Sequence, residues 1–274
     1  MDWTADAAGN RTSYEYYYDT HLNAGRLKAI TQPPLDPQNP VDKKQYLEYT
    51  AQGEQRRVWG DTAYPVEYVY DDYGQKTEMH TYRGGSGWNG STWPGSPGTA
   101  DVTRWVYEAA TGLLTSKTHG YGTQDADTVS YTYTAEGKLY TRTWARTVGG
   151  NPLITNFAYS SATGELTTIF YSLGEGGDPN TPAVTFTYDR LGRKKTVTDV
   201  VGTRTLAYND DMTLGSEDID GSSGGLYSKL ITRKFDTTAG AVGRSTGFQV
   251  GTTADPDADY DLTYGYQPVV KVAS

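Results

Sequence analysis

Gly221-Ser222-Ser223-Gly224-Gly225 fits the G-x-S-x-G pattern, in which a serine on a sharp strand-to-helix turn acts as a nucleophile. The segment after it, Leu226 to Phe235, alternates like a strand, so the required helix is missing and the stretch reads as a loop. Asp255, Asp257, Asp259 and Asp261 recur at every second position. On a strand they would share one face and repel unless a cation sat among them, and calcium is the candidate ion. The glycine and glutamate of a helix-flanked calcium loop are absent, because Tyr260 and Tyr266 stand in those places, and a solvated acidic loop is the competing reading. His21, His80 and His119 lie far apart, and with no cysteine in the chain neither a histidine-rich nor a thiolate metal site is expected. Carboxylates are plentiful, but a glycosidase needs one pair facing across a cleft, and no pair here is distinguished from the others.

One further segment has binding chemistry. Residues 83–98, "RGGSGWNGSTWPGSPG", are rich in Gly, Ser and Pro and carry Trp88 and Trp93. Two exposed indoles on such a loop could stack on a sugar face or a partner surface, and a mobile hairpin tip is the alternative. Asn10-Arg11-Thr12 and Asn89-Gly90-Ser91 match the N-glycosylation pattern, which is short enough to arise by chance.

The elements that must carry these residues are strands. The chain has 24 Tyr against 5 Phe, and 32 Gly. Tyr and abundant Thr suit pleated, half-wet surfaces, and Gly and Pro punctuate turns, so the composition is all-β with a thin core. In "VSYTYTAEGKLYTRTW" Val129, Tyr131 and Tyr133 share one face while Ser130, Thr132 and Thr134 share the other. After the turn, Lys138, Tyr140, Arg142 and Trp144 alternate with Leu139, Thr141 and Thr143, which is strand, turn, strand.

That hairpin is written about eleven times, at a loose period of roughly 27 residues. Its marks are an aromatic residue and a following glycine: Tyr18 and Gly25, Tyr49 and Gly53, Tyr70-Asp71 and Gly74, Tyr107 and Gly112. They continue as Tyr133 and Gly137, Tyr159 and Gly164, Tyr188-Asp189 and Gly192, and Phe235 and Gly240. A degenerate copy at 206–212 has Met212 where glycine is expected, and a last copy begins at Tyr264-Gly265-Tyr266. The Asp, Ser or Thr after the aromatic starts a turn by accepting from nearby amides, and glycine supplies the positive φ that closes a type I turn with a bulge. The spacing predicts one more small residue in the loops ending at Gly112, Gly164 and Gly240. Residues 1–274 read as one continuous array, with insertions near 32–45, where "QPPLDPQNP" must leave the ladder, and near 83–100.

These residues resemble the YD repeats of the RHS (rearrangement hotspot) proteins, on Tyr188-Asp189-Arg190-Leu191-Gly192-Arg193, Tyr70 to Gly74, Asp6 to Arg11 and Asn23 to Leu27. The resemblance covers essentially the whole chain. It implies stacked antiparallel β-hairpins forming a spiralling sheet or open solenoid-like shell segment, as in bacterial polymorphic toxins, insecticidal toxin complexes and teneurins. It further implies a wall element of a hollow shell around a toxin, or of an extended surface fibre, in a bacterial protein that is secreted or at the cell surface. The partners implied are flanking repeats of a longer chain, further copies of itself, or an encapsulated toxin domain. The family's self-cleaving C-terminal segment has no counterpart, so the chain reads as an excerpt. The alternative function is adhesion or carbohydrate recognition through the Trp-bearing insertion, with surface glycans as partners.

A formal charge of −9 argues against nucleic acid as a partner. No apolar run is long enough to span a membrane, and the charged turns break the outer band that a membrane barrel needs. The N-terminus lacks the basic and apolar regions of a signal peptide, so any export signal is expected outside this chain. No catalytic residue and no cofactor is expected.

Overall fold

Alternating Thr, Tyr and β-branched residues broken by glycine turns give strand after strand. The computed structural model describes residues 2–34, 43–174, 176–177, 181–221, 228–238 and 242–266. Among them there is no α-helix, only a single 3-10 turn at Ser86–Trp88, and no helix is long and apolar enough to cross a membrane.

The chain divides into two compact units, Met1–Thr132 and Tyr133–Ser274. The first holds β1 (Asp2–Ala5), β2 (Arg11–Tyr16), β3 (Leu27–Gln32), β4 (Lys43–Tyr49) and β5 (Gln55–Gly60). It continues with β6 (Val66–Tyr70), β7 (Lys76–Thr81), β8 (Asp101–Tyr107), β9 (Leu114–His119) and β10 (Asp127–Tyr133). Each strand pairs antiparallel with the next in sequence.

The second unit holds β11 (Leu139–Val148), β12 (Asn151–Tyr159), β13 (Leu166–Leu173), β14 (Gly176–Gly177), β15 (Val184–Tyr188) and β16 (Lys194–Asp199). Then come β17 (Gly202–Tyr208), β18 (Leu214–Gly221), β19 (Lys229–Phe235), β20 (Ser245–Gly251) and β21 (Tyr260–Thr263). Pairing is again antiparallel and sequential, with β13 bonded to both β14 and β15. The fold is all-β, built of stacked antiparallel hairpins.

Register gives each ladder two unlike faces. In the second unit Phe157, Ile169, Val184, Phe186, Val197 and Leu206 fall on one face. The opposite face is hydroxylic: Thr185 faces Thr198, and the Thr187–Thr196 and Thr198–Thr203 side chains bond across strands at 2.6 and 2.9 Å. A thin core follows. Among the described residues the buried apolar side chains are Ala29, Leu47, Trp59, Tyr82 and Trp88, all in the first unit.

Candidate functional site

The hairpin corners repeat one geometry. At 188–194, a bulge after Thr187 sets Tyr188 opposite Lys194. The Gly192 amide donates to the Asp189 carbonyl at 3.1 Å, and the Asp189 amide to the Arg193 carbonyl at 2.9 Å. Asp189 Oδ1 accepts from the amides of Leu191 and Arg193 at 2.8 and 3.0 Å, which fills the turn's free donors. Gly192 has φ 78°, a conformation that glycine adopts without a Cβ clash. Asp71 does the same for Tyr73 and Gln75, closed by Gly74 at φ 79°. Thr50 and Thr134 use their hydroxyls instead, before Gly53 and Gly137. The loops ending at Gly112 and Gly164 are one residue longer, and each glycine amide donates four residues back, to Glu108 and Ser160.

Successive corners are joined in two ways. First, the motif phenol of one hairpin donates to a carbonyl of the hairpin before it. Tyr70 reaches Gln55 at 2.7 Å, Tyr107 reaches Lys76 at 2.9 Å, and Tyr159 reaches Leu139 at 2.8 Å. Tyr188 reaches Leu166 at 2.8 Å, Tyr208 reaches Lys194 at 2.9 Å, and Tyr266 reaches Ser245. Where the motif aromatic of the preceding hairpin is described in register, the acceptor is its partner across the bulge, as Gln55 is to Tyr49 and Lys76 is to Tyr70. Burial pushes the phenols of Tyr70, Tyr107, Tyr159 and Tyr188 above their ordinary value, which keeps the donated proton in place.

Second, the side chain just after one turn glycine lies against the next turn glycine. Gln75 Nε2 donates to the Gly112 carbonyl at 2.9 Å and Lys138 Nζ to that of Gly164. Glu54 and Glu165 would stand 3.3 Å from a Cβ placed on Gly74 and Gly192, and Arg26 fills the space beside Gly53. Where that side chain is basic it sits over the next motif ring. Arg26 is 5.4 Å from Tyr49, Lys138 is 5.2 Å from Tyr159, Arg193 is 4.2 Å from Tyr208 and Arg244 is 4.4 Å from Tyr266.

Two motif assignments need correction. In the first corner the register places Tyr16, opposite Leu27, at the bulge, and the Gly25 amide donates to the Tyr17 carbonyl. Tyr18 lies inside a longer loop and is exposed, because the extra residues shift the count from Gly25. Tyr17 instead stacks on His21 and donates to the Leu47 carbonyl at 2.8 Å. In the Phe235 corner the closing glycine is Gly243, at φ 81° and donating to the Asp236 carbonyl, so this loop is longer than the glycine count suggested. Gly240 lies outside the described residues, as do Ser222 to Gly225 and residues 35–42. Tyr133 stands as expected at the end of β10, ahead of the Gly137 turn.

The insertion is not an exposed tip. Trp88 is 6% exposed, and it packs with Trp59, Tyr82, Tyr46 and Trp93. Ring centroids are 4.8 Å apart for Trp88–Trp93, 5.4 Å for Tyr82–Trp88 and 5.5 Å for both Trp59–Trp93 and Tyr46–Trp59. The Trp59 indole donates to the Gly90 carbonyl at 2.9 Å, which ties the loop to β5. Arg57 lies 4.7 Å from the Trp93 ring and pairs with Glu67 at 2.7 Å and Glu48 at 3.4 Å. The physical reason is that β4, β5 and the end of β7 present Tyr46, Trp59 and Tyr82 on one face, and covering them removes a large apolar area from water. Sequence reading missed these three partners; the cross-strand Tyr46–Trp59 pair was the available signal.

Among the described residues no group of three or more His, Asp or Glu could hold a metal ion. The aspartate run is split between partners. Asp259 pairs with Lys229 at 2.7 Å, Asp261 with Lys234 and Gln249, and Asp255 hydrogen-bonds Asp257, which raises the Asp255 pKa. His80 bonds Glu78 at 2.8 Å and His119 bonds Thr103 at 3.4 Å.

No family model matches the chain, and no curated protein matches it. Solved structures do match. TcdB2-TccC3 without its hypervariable C-terminal region aligns at a TM-score of 0.53 and 16% identity, over 95% of this chain and 15% of that one. TcdB2-TccC3 aligns at 0.51 and 17%, over 95% and 15%. A Photorhabdus luminescens Tc holotoxin pore aligns at 0.50 and 17%, over 95% and 14%. This chain therefore spans about 15% of the length of the chains it matches, and what it shares with them is the fold.

Proposed function

We propose that this chain is a wall segment of an RHS-type YD-repeat shell, with an architectural rather than catalytic role. The observation that carries this reading is the run of corner bonds, in which a phenol of one hairpin is anchored on the main chain of the hairpin before it. A lone hairpin is marginal in water, whereas each bonded corner makes its neighbour part of its own stability. The fold likeness to TcdB2-TccC3 chains supports the same reading. In such a wall a continuous hydrogen-bonded sheet separates an enclosed volume from solvent. Its partners are flanking repeats or further copies and an enclosed toxin domain, and the setting is extracellular.

Recognition through exposed indoles loses its motive, since Trp88 and Trp93 are packed against β5. The shell reading is tested by electron microscopy of the native full-length protein together with limited proteolysis. A hollow particle with a protease-resistant interior segment is the expected result. Extended fibres, or open arcs with a fully digestible interior, would replace it.

A further inference from the structure

Basic side chains in this protein are mostly matched by acids. Arg57 sits between Glu48 and Glu67, Arg193 against Asp189, Arg244 against Asp236, and Arg233 near Glu217. Arg142 on β11 is different. Its guanidinium lies 3.5 Å over the Trp144 ring, its Nε is buried with no hydrogen-bond partner, and no carboxylate pairs with it among the described residues. This occurs in a chain with 33 acidic residues against 24 Lys and Arg, where a nearby acid would be easy to supply. Trp144 is itself fixed, its indole donating to the Thr155 hydroxyl at 2.9 Å, and Thr155 is buried. The cation is thus held on a rigid platform with only its terminal nitrogens free to meet an anion.

A groove adjoins it. Between the corners at 134–138 and 160–164 lies an open hollow of about 560 Å³. Its aromatic lining is Tyr140, Phe157 and Tyr159, and Thr134, Ser160 and Ser161 supply hydroxyls. Lys138 stands at its edge, and Tyr140 is 54% exposed. Tyr140 and Arg142 are two apart on one strand, so they share a face and stand about 7 Å from each other.

We propose that this face of β11 and β12 binds an acidic saccharide of the uronic acid class. One sugar ring stacks on Tyr140 above the groove, the hydroxyl rim bonds its neighbours, and a carboxylate meets the terminal nitrogens of Arg142. Flat rings beside hydroxyl donors suit the carbon–hydrogen faces and hydroxyls of a sugar, and a planar guanidinium suits a carboxylate. The site is independent of the shell reading, which microscopy tests separately.

The test is titration of the native full-length protein with tetragalacturonate, followed by Trp fluorescence and calorimetry, with maltotetraose and poly-glutamate as comparisons. Saturable binding of tetragalacturonate is expected, at least tenfold tighter than maltotetraose, weakening as salt rises. Arg142→Gln and Tyr140→Ala should each weaken it at least tenfold. Arg142→Gln should melt no lower than the parent, because no acid is left unpaired, and Tyr140→Ala alters a half-exposed ring, so either variant can decide the matter. No saturable binding, or equal affinity in both variants, overturns the proposal. Poly-glutamate binding as tightly at the same residues also overturns it, in favour of an acidic peptide.

Discussion

The hydroxyl of Tyr188 donates to the carbonyl of Leu166 at 2.8 Å, and in doing so bonds one hairpin to the main chain of the one before it. Phenylalanine could fill the same space but could not make this bond, which gives a physical reason for 24 Tyr against 5 Phe.

Removing the hydroxyl should therefore cost stability without disturbing packing. Tyr188→Phe is expected to lower the unfolding free energy by about 1 kcal/mol, the usual net value of such a bond. The reverse change is available at Phe235, whose hairpin follows the one where Leu214 lies opposite Tyr208. Phe235→Tyr should gain a bond to the Leu214 carbonyl and raise the urea midpoint. Equilibrium urea unfolding checks both.

Met212 has φ 69° at the position other corners give to glycine. A side chain in that region costs about 1 kcal/mol, so Met212→Gly should stabilise the protein by about that amount. Gly192→Ala should do the opposite, since φ is 78° and a Cβ there would stand 3.3 Å from the Glu165 carboxylate. Thermal melting of the two variants should move in opposite directions.

Asp236 accepts from the Thr238 amide and hydroxyl and from Arg244, which lowers its pKa from 3.8 to about 2. A carboxyl with a depressed folded pKa adds stability that is complete above its unfolded pKa and is lost as pH falls through the folded one. The window is thus from about pH 4 down to about pH 2. Asp236→Asn should flatten that part of the acid unfolding curve, measured by circular dichroism at fixed temperature.

Trp88 is buried against Tyr82 and Trp93. Trp88→Ala should cost about 3–5 kcal/mol, expose the remaining indoles, shift tryptophan emission to the red and open residues 83–100 to proteolysis. Unchanged emission and protease resistance would mean that the insertion holds its place without this ring.

The hairpins were legible because their signals are local. At Tyr188-Asp189 and Gly192 the ring, the turn-starting carboxylate and the positive-φ residue fall within five positions. Loop length blurred this twice. Tyr18 took the place of Tyr16, and Gly240 that of Gly243, because the glycine marks a turn's end without fixing its start. The tryptophan cap was not legible: Trp59 and Gly90 are 31 residues apart, and composition alone made the insertion look like a free loop. The aspartates misled for the same reason, since Lys229, 30 residues from Asp259, decides where that charge goes.

Gln55, Lys76, Leu139, Leu166, Lys194 and Ser245 have little in common as side chains, yet each offers the same oxygen to the next tyrosine. A join that reads only the main chain does not care which neighbour it meets. Hairpins can therefore be duplicated, lost or exchanged by recombination within the gene, and each newcomer docks without a matching change next door.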